Sequence, residues 1–253
     1  MIVDRRQLGR IILVSSGKGG VGKSMVASNL AVGISKAGTA VGLLDADLHG
    51  PSQAEMFNLH SAPRILGGKI EPGYRSGVRI LSSGMLGTRA KAFVWKGPLL
   101  RGVLRQFLDD TDWGNLDYFI IDLPPGTGET LMALLAYVVP VGVLVVTTPQ
   151  EVACADTRRT MSMLSQLRLP ILAVIENMSD FQCPHCGVST RIFPGEGGAS
   201  LAHEFSVPKC IAIPISSALA RSSDAGNPFL SQEDEDERIR GPLGDLVRIV
   251  TCV

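Results

Sequence analysis

The sequence predicts an α/β fold, a three-layer sandwich in which a mostly parallel β-sheet carries helices on both faces. Two observations carry that expectation. Short apolar runs recur at Ile11 to Val14, Val41 to Leu44, Tyr118 to Ile121, Val141 to Val146 and Ile171 to Ile175, each the length of a strand buried on both faces. Segments with helical spacing separate them, and strands that alternate with helices build parallel sheets through right-handed crossovers. A chain of 253 residues suits one such unit, so residues 1–253 are read as a single domain.

Each element follows in order. After Ile11 to Val14 comes a glycine-rich turn, then a helix over Ser24 to Ala37, where Val26, Leu30 and Ile34 recur every four residues and Gly38 supplies the stop. Val41 to Leu44 is the second strand and ends in Asp45-Ala46-Asp47. Ile70 to Ser83 holds β-like runs between glycines and reads as a hairpin. Leu99 to Leu108 reads as a helix, and Tyr118 to Ile121 as a strand ending at Asp122. The alternation continues with a helix over Glu129 to Val139, the strand Val141 to Val146 and a helix over Ala155 to Leu167. The strand Ile171 to Ile175 is followed by a loop, about 179–195, that carries Cys183 and Cys186. A short helix (Ser200 to Phe205), a strand (Ile211 to Ile213), a helix (Ser216 to Ser222) and a helical tail over 231–253 complete the chain. The acidic run Glu233 to Glu237 reads as the solvated start of that last helix.

Composition excludes several functions. Lys+Arg and Asp+Glu stand at 24 each, which leaves no broad basic surface for nucleic acid. The longest apolar stretch, Leu131 to Val146, is broken by Pro140 and Gly142 and is shorter than the ~20 residues that span a bilayer. No membrane or nucleic-acid partner is therefore expected. Five scattered cysteines, and an N-terminus without an apolar leader, point to the cytoplasm, where cysteine pairs bind metal or do redox work.

The phosphate chemistry is concentrated in one segment. Gly17-Lys18-Gly19-Gly20-Val21-Gly22-Lys23-Ser24 matches G-x-x-x-x-G-K-S/T between a strand and a helix. Its glycines let backbone N–H groups turn inward around phosphate oxygens, and the helix that follows points its positive end at the same charge. Gly17 through Met25 is thus the expected nucleotide-binding segment, with Lys23 on the β- and γ-phosphates and the Ser24 hydroxyl on Mg²⁺. Asp122, at a strand end beside that loop, is expected to hold Mg²⁺ through water, and the Gly126 N–H to sense the γ-phosphate. Asp47 is the candidate for orienting or deprotonating the attacking water, and Asp45 and Asp47 are further Mg²⁺ or water contacts; helix capping is the alternative for either. Lys18 follows the first glycine, poorly placed to reach its own phosphates. It is read as a catalytic lysine that reaches a facing subunit's nucleotide, the alternative being an exposed, solvated side chain.

These residues carry a family resemblance. Lys18 to Ser24 resembles the deviant Walker A motif of the SIMIBI-class P-loop NTPases, which include nitrogenase iron protein, the MinD and ParA ATPases and the Mrp/ApbC-type iron–sulfur carriers. The Mrp/ApbC branch is the one resembled by Asp45-Ala46-Asp47-Leu48-His49-Gly50-Pro51-Ser52, Asp122 to Gly128, Thr148-Pro149-Gln150-Glu151, Glu176-Asn177-Met178-Ser179 and Cys183-Pro184-His185-Cys186, over about Gln7 to Phe229. The resemblance implies slow ATP hydrolysis in a homodimer and one 4Fe-4S cluster bridged by Cys183 and Cys186 of both subunits, to be passed to apo iron–sulfur client proteins. It also implies that Asn177 contacts the adenine edge, with an Ile213-Pro214 turn nearby. The residues agree to this extent: a C-x-x-C pair is half of a four-thiolate site, and a twofold axis supplies the other half. Zinc would take the same four thiolates, so a zinc-binding ATPase stays open. A MinD/ParA-like positioning ATPase is the other alternative; it leaves Cys183 and Cys186 unexplained, and the stretch Leu243 to Val253 carries Arg248 as its one cation. Family members often carry an acidic residue where this chain has Ser216-Ser217. Cys154 reads as a small buried hydrophobe on a helix.

Overall fold

The computed structural model describes residues 5–86, 98–126, 128–195, 197–233 and 236–252. Thr127 of the Asp122 to Gly128 segment, and Asp234 and Glu235 of the acidic run, lie outside them. The elements in chain order are β1 (Arg10–Ser16), α1 (Lys23–Ser35), β2 (Val41–Asp45), α2 (Gln53–Met56), β3 (Ile65–Leu66), β4 (Lys69–Ile70), β5 (Gly73–Arg75), β6 (Val78–Leu81), α3 (Pro98–Asp109), β7 (Tyr118–Asp122), α4 (Glu129–Leu135), β8 (Gly142–Thr147), α5 (Glu151–Gln166), β9 (Ile171–Gln182), β10 (Ser189–Thr190), α6 (Gly197–Glu204), β11 (Cys210–Ile215), α7 (Ser217–Asp224) and α8 (Glu237–Thr251).

The main sheet runs β10-β9-β8-β1-β7-β2-β6-β5, with β11 also paired to β9. The pairs β11–β9, β9–β8, β8–β1, β1–β7, β7–β2 and β2–β6 are parallel, and β10–β9 and β5–β6 are antiparallel. Alternate side chains of β1 face opposite layers. Ile12 and Val14 pack with α1, α8 and Phe229, while Ile11 and Leu13 pack with α3, α4, α5 and α6. The predicted three-layer sandwich is the observed fold.

Several boundaries differ from expectation for local reasons. The helix expected over Glu129 to Val139 ends at Leu135, because Pro140 cannot continue a helix and restricts the residue before it. The one expected from Ala155 starts at Glu151, whose acid sits in the first turn. The hairpin in 70–83 is β5–β6, closed by Ser76 and Gly77, both at positive φ as a primed turn requires. Within the expected helical tail, α8 packs on the core. Asp236 caps α8, and Ile239, Leu243, Leu246 and Val250 are buried against the core. Ser216, where an acidic residue was the family expectation, caps α7 by accepting from Ala218 N and Leu219 N. The largest difference is β9. It was expected to end at Ile175 and instead runs to Gln182, so the loop begins as a strand and the cysteines sit at its tip.

Candidate functional site

The phosphate loop leaves the carboxyl end of β1 and enters α1 through Gly22, whose φ of 90° admits glycine readily. Gly17 is packed so closely on α5 that a Cβ there would lie 2.2 Å from Thr157 N. A cleft of about 280 Å³ lies over the loop, lined by Lys18, Gly19, Gly20, Gly22, Lys23, Ser24, Met25, Asp47 and Pro125, among others. Lys18 is exposed at its rim. The Lys23 ammonium lies 2.5 Å from Asp122 Oδ1 and 3.3 Å from Ser24 Oγ, and Asp122 is fully buried at the end of β7. Lysine, hydroxyl and carboxylate thus meet at one point of a glycine cradle, a donor set that fits a nucleotide phosphate with Mg²⁺.

Asp45 and Asp47 part company. Asp45 is fully buried, and its oxygens accept from Asp47 N (3.1 Å), Ser52 N (2.9 Å), Gln53 N (3.0 Å) and Ser82 Oγ (2.8 Å). Burial, then the neighbouring Asp122 carboxylate, raise its pKa to about 7 against the pull of the Gln53 and Ser82 donors. Asp47 is half-buried, lines the cleft and accepts from Gly50 N at 3.0 Å. Sequence reasoning missed Gln53 and Ser82. The Gln53 amide donates to Asp122 Oδ2 (2.8 Å) and to Ser24 O (3.1 Å), tying α2 to the loop. Ser82 meets Asp45 because β6 lies beside β2 with Leu44 opposite Leu81. The one usable signal was a polar residue just past a strand end.

Gly126 N donates to Ser16 O at 2.8 Å, so this N–H is engaged by the last carbonyl of β1. Asn177 is buried on β9 and its amide donates to the Val21 carbonyl at 2.9 Å. Its nitrogen would lie 2.2 Å from a Cβ at Gly22. Pro214 is buried within β11, not in the turn expected at Ile213-Pro214. Proline has no N–H to give the ladder, and the β11–β9 register slips there between Ile213 and Ile215.

The cysteine pair sits at the tip of the β9–β10 hairpin. Cys183 N donates to Val188 O, and Gly187, at φ 72°, donates to Cys183 O. Asp180 binds the rest of the hairpin together, accepting from the Ser179 and Ser189 hydroxyls. The backbone N–H groups of Cys186 and His185 point at the Cys183 sulfur and, with the Cys186 thiol, hold its pKa below the ordinary value. A lowered pKa favours the thiolate, the form in which cysteine ligates metals. The other cysteines contrast with it. Cys154 is buried on α5, its thiol donates to Thr148 O at 3.3 Å, and burial raises its pKa. Burial and then Glu176 push the Cys210 thiol up to about 11. Among the described residues no three His, Cys, Asp or Glu side chains form a metal group within one chain.

Residues 7–250 match the family model described as ParA: NUBPL iron-transfer P-loop NTPase. The chain belongs to that family. This NUBPL-family chain is 42% identical to an "Iron-sulfur cluster carrier protein" of Deinococcus radiodurans over 228 residues, 89% of the chain and 64% of that protein, so it spans under two thirds of that relative's length. It is 39% identical over 231 residues to the "Iron-sulfur cluster transfer protein NUBPL" of Dictyostelium discoideum, 90% of the chain and 72% of that protein. Its fold matches a nucleotide-binding protein of Archaeoglobus fulgidus in complex with ADP, at TM-score 0.79 and 35% identity, covering 93% of this chain and 96% of that one. The cell division ATPase MinD of Pyrococcus furiosus shares the fold at TM-score 0.70 and 23% identity, covering 96% and 99%. Among the described residues no helix is long and apolar enough to cross a membrane.

Proposed function

We propose that this chain binds and slowly hydrolyses ATP with Mg²⁺ and, as a homodimer, carries a 4Fe-4S cluster bridged by Cys183 and Cys186 of both copies for delivery to apoproteins. One observation carries the reading. The knuckle of Cys183 and Cys186 follows directly on the end of the strand whose Asn177 holds the phosphate loop, and the Cys183 thiol has its pKa lowered by neighbouring backbone N–H groups. One chain offers two thiolates, and a twofold axis completes the four that a cluster needs.

The roles divide as follows. Gly17 to Met25 cradle the phosphates, and Lys23 exchanges Asp122 for the β- and γ-phosphates when ATP arrives. Ser24 and Asp122 hold Mg²⁺, which neutralises phosphate charge. Asp45, with its oxygens engaged by four protein donors, acts by placing Asp47 rather than by direct ligation. Asp47 orients the attacking water. Lys18, exposed at the cleft rim, reaches the facing copy's nucleotide. Asn177 and Pro214 flank the adenine side. Asp47→Ala lowers kcat by about 100-fold or more while nucleotide affinity stays within a few-fold; unchanged turnover would remove Asp47 from the role.

The cargo is tested by anaerobic reconstitution with iron and sulfide. Wild type gains both, and Cys183→Ala and Cys186→Ala gain neither. Stoichiometric zinc in protein purified without oxygen, with no uptake of iron and sulfide, would replace this reading with a zinc-binding ATPase.

A further inference from the structure

Gln53 stands where Asp45, Asp122 and Ser24 meet. Its backbone N–H donates to Asp45 Oδ2 at 3.0 Å. Its side-chain amide donates to Asp122 Oδ2 at 2.8 Å and to the Ser24 carbonyl at 3.1 Å. Asp45 and Asp122 end neighbouring strands in register, and both are fully buried. One uncharged residue at the start of α2 therefore sets how two buried carboxylates stand beside each other. Gln53 is itself fully buried and is not among the residues that line the cleft, so whatever it does there it does through its partners.

Among the described residues two donors reach the Asp122 carboxylate. Lys23 takes Oδ1 and Gln53 takes Oδ2. The Lys23 ammonium also lies 3.3 Å from Ser24 Oγ, so a cation already sits between the hydroxyl and the carboxylate. When Lys23 turns to a nucleotide's phosphates, that cation leaves. A buried charge beside Asp45 is then uncompensated, which is costly. A carboxylate released at one oxygen also turns readily about its last bond, because such torsions are broad. Compensation by a divalent cation requires oxygens that stay aimed, and the donor left to aim them is Gln53. Its other amide atom, Oε1, is buried without a hydrogen-bond partner. Buried acceptors are nearly always paired, and a water that arrives with a metal ion is a donor, so the residues fit a hydrated magnesium ion.

We infer that Gln53 is a positioning residue for magnesium, keeping Asp122 aimed beside Ser24 once Lys23 has gone to the phosphates. It is an outer-shell partner of the metal, acting through the carboxylate it holds. The inference rests on the proposed Mg²⁺-dependent nucleotide site and names what sets the metal's affinity there.

Binding with and without metal separates positioning from simple support of the fold. Fluorescent ADP is titrated in EDTA, Mg²⁺ is then titrated into the loaded protein, and Mn²⁺ uptake by the same complex is followed by electron paramagnetic resonance. Gln53→Met keeps the side chain's length and removes its amide. It should bind ADP in EDTA within about twofold of wild type and lose about tenfold or more in Mg²⁺ and Mn²⁺ affinity, the usual effect of removing an outer-shell partner. Gln53→Asn, whose shorter amide draws back from Asp122 but keeps the site polar, should show the same split, and it carries the test if Gln53→Met does not fold. Unchanged metal affinity in these variants would overturn the inference. So would equal losses with and without metal, the mark of a residue that only ties α2 to the loop. Wild-type protein that binds ADP but takes up neither metal would overturn the proposed magnesium site as well, an outcome distinct from variants that match a metal-binding wild type.

Discussion

The phosphate loop and the cysteine hairpin leave the same end of one parallel sheet and are built in opposite ways. The loop is interlocked. Lys23, Asp122, Gln53 and Asp45 are buried, each is bonded to another, and Gly17 lies against the backbone of α5. The hairpin is bonded to itself, and residues 184–192 are exposed. A phosphate cradle built within one chain needs a fixed wall of donors. A site that shares its ligand with a second copy must stay at the surface, with its remaining valences outward.

That contrast can be broken at the loop first. Lys23→Ala strands a buried carboxylate and is expected to cost about 3–5 kcal/mol in urea unfolding, along with ATP binding. Stability unchanged would mean that Asp122 is not held as a charged partner. Gly17→Ala should cost about 1–3 kcal/mol, because the new Cβ meets the backbone of α5 rather than a side chain that can turn away.

The effect of pH sharpens the same comparison. Asp45 is a carboxyl whose folded pKa of about 7 lies above its ordinary value of 3.8. The folded state therefore binds its proton more tightly than the unfolded chain does. That stabilisation is full below about 4 and is lost as pH rises through about 7. Asp45→Asn should flatten this decline between those limits, measured by urea unfolding across the range. A slope identical in the variant would assign it to other groups. The smallest expected effect lies at the hairpin: Cys183→Ala leaves Tm where it was, since the residue ties down little else. A large loss of Tm would show that the hairpin is part of the core.

The sequence made the loop legible because its chemistry is contiguous. Eight consecutive residues between a strand and a helix specify cradle, lysine and hydroxyl together. What it hid lies across strands. Gln53 reaches Asp122 and Ser82 reaches Asp45 only because β2 sits between β6 and β7, a neighbourhood no local spacing reveals. The length of β9 was hidden for a different reason. Glu176, Asn177, Ser179 and Asp180 look like loop residues, yet each is consumed by a specific bond: a helix cap, the loop carbonyl, and the hairpin brace. The fold class needed none of this, since apolar runs alternating with helical spacing decide it alone.

Native mass spectrometry of anaerobically reconstituted protein tests the central claim most directly. The expected species is a dimer carrying one 4Fe-4S cluster, absent when either Cys183 or Cys186 is replaced by alanine. Monomers that each retain a complete cluster, or a dimer whose cluster survives loss of both cysteines, would contradict it.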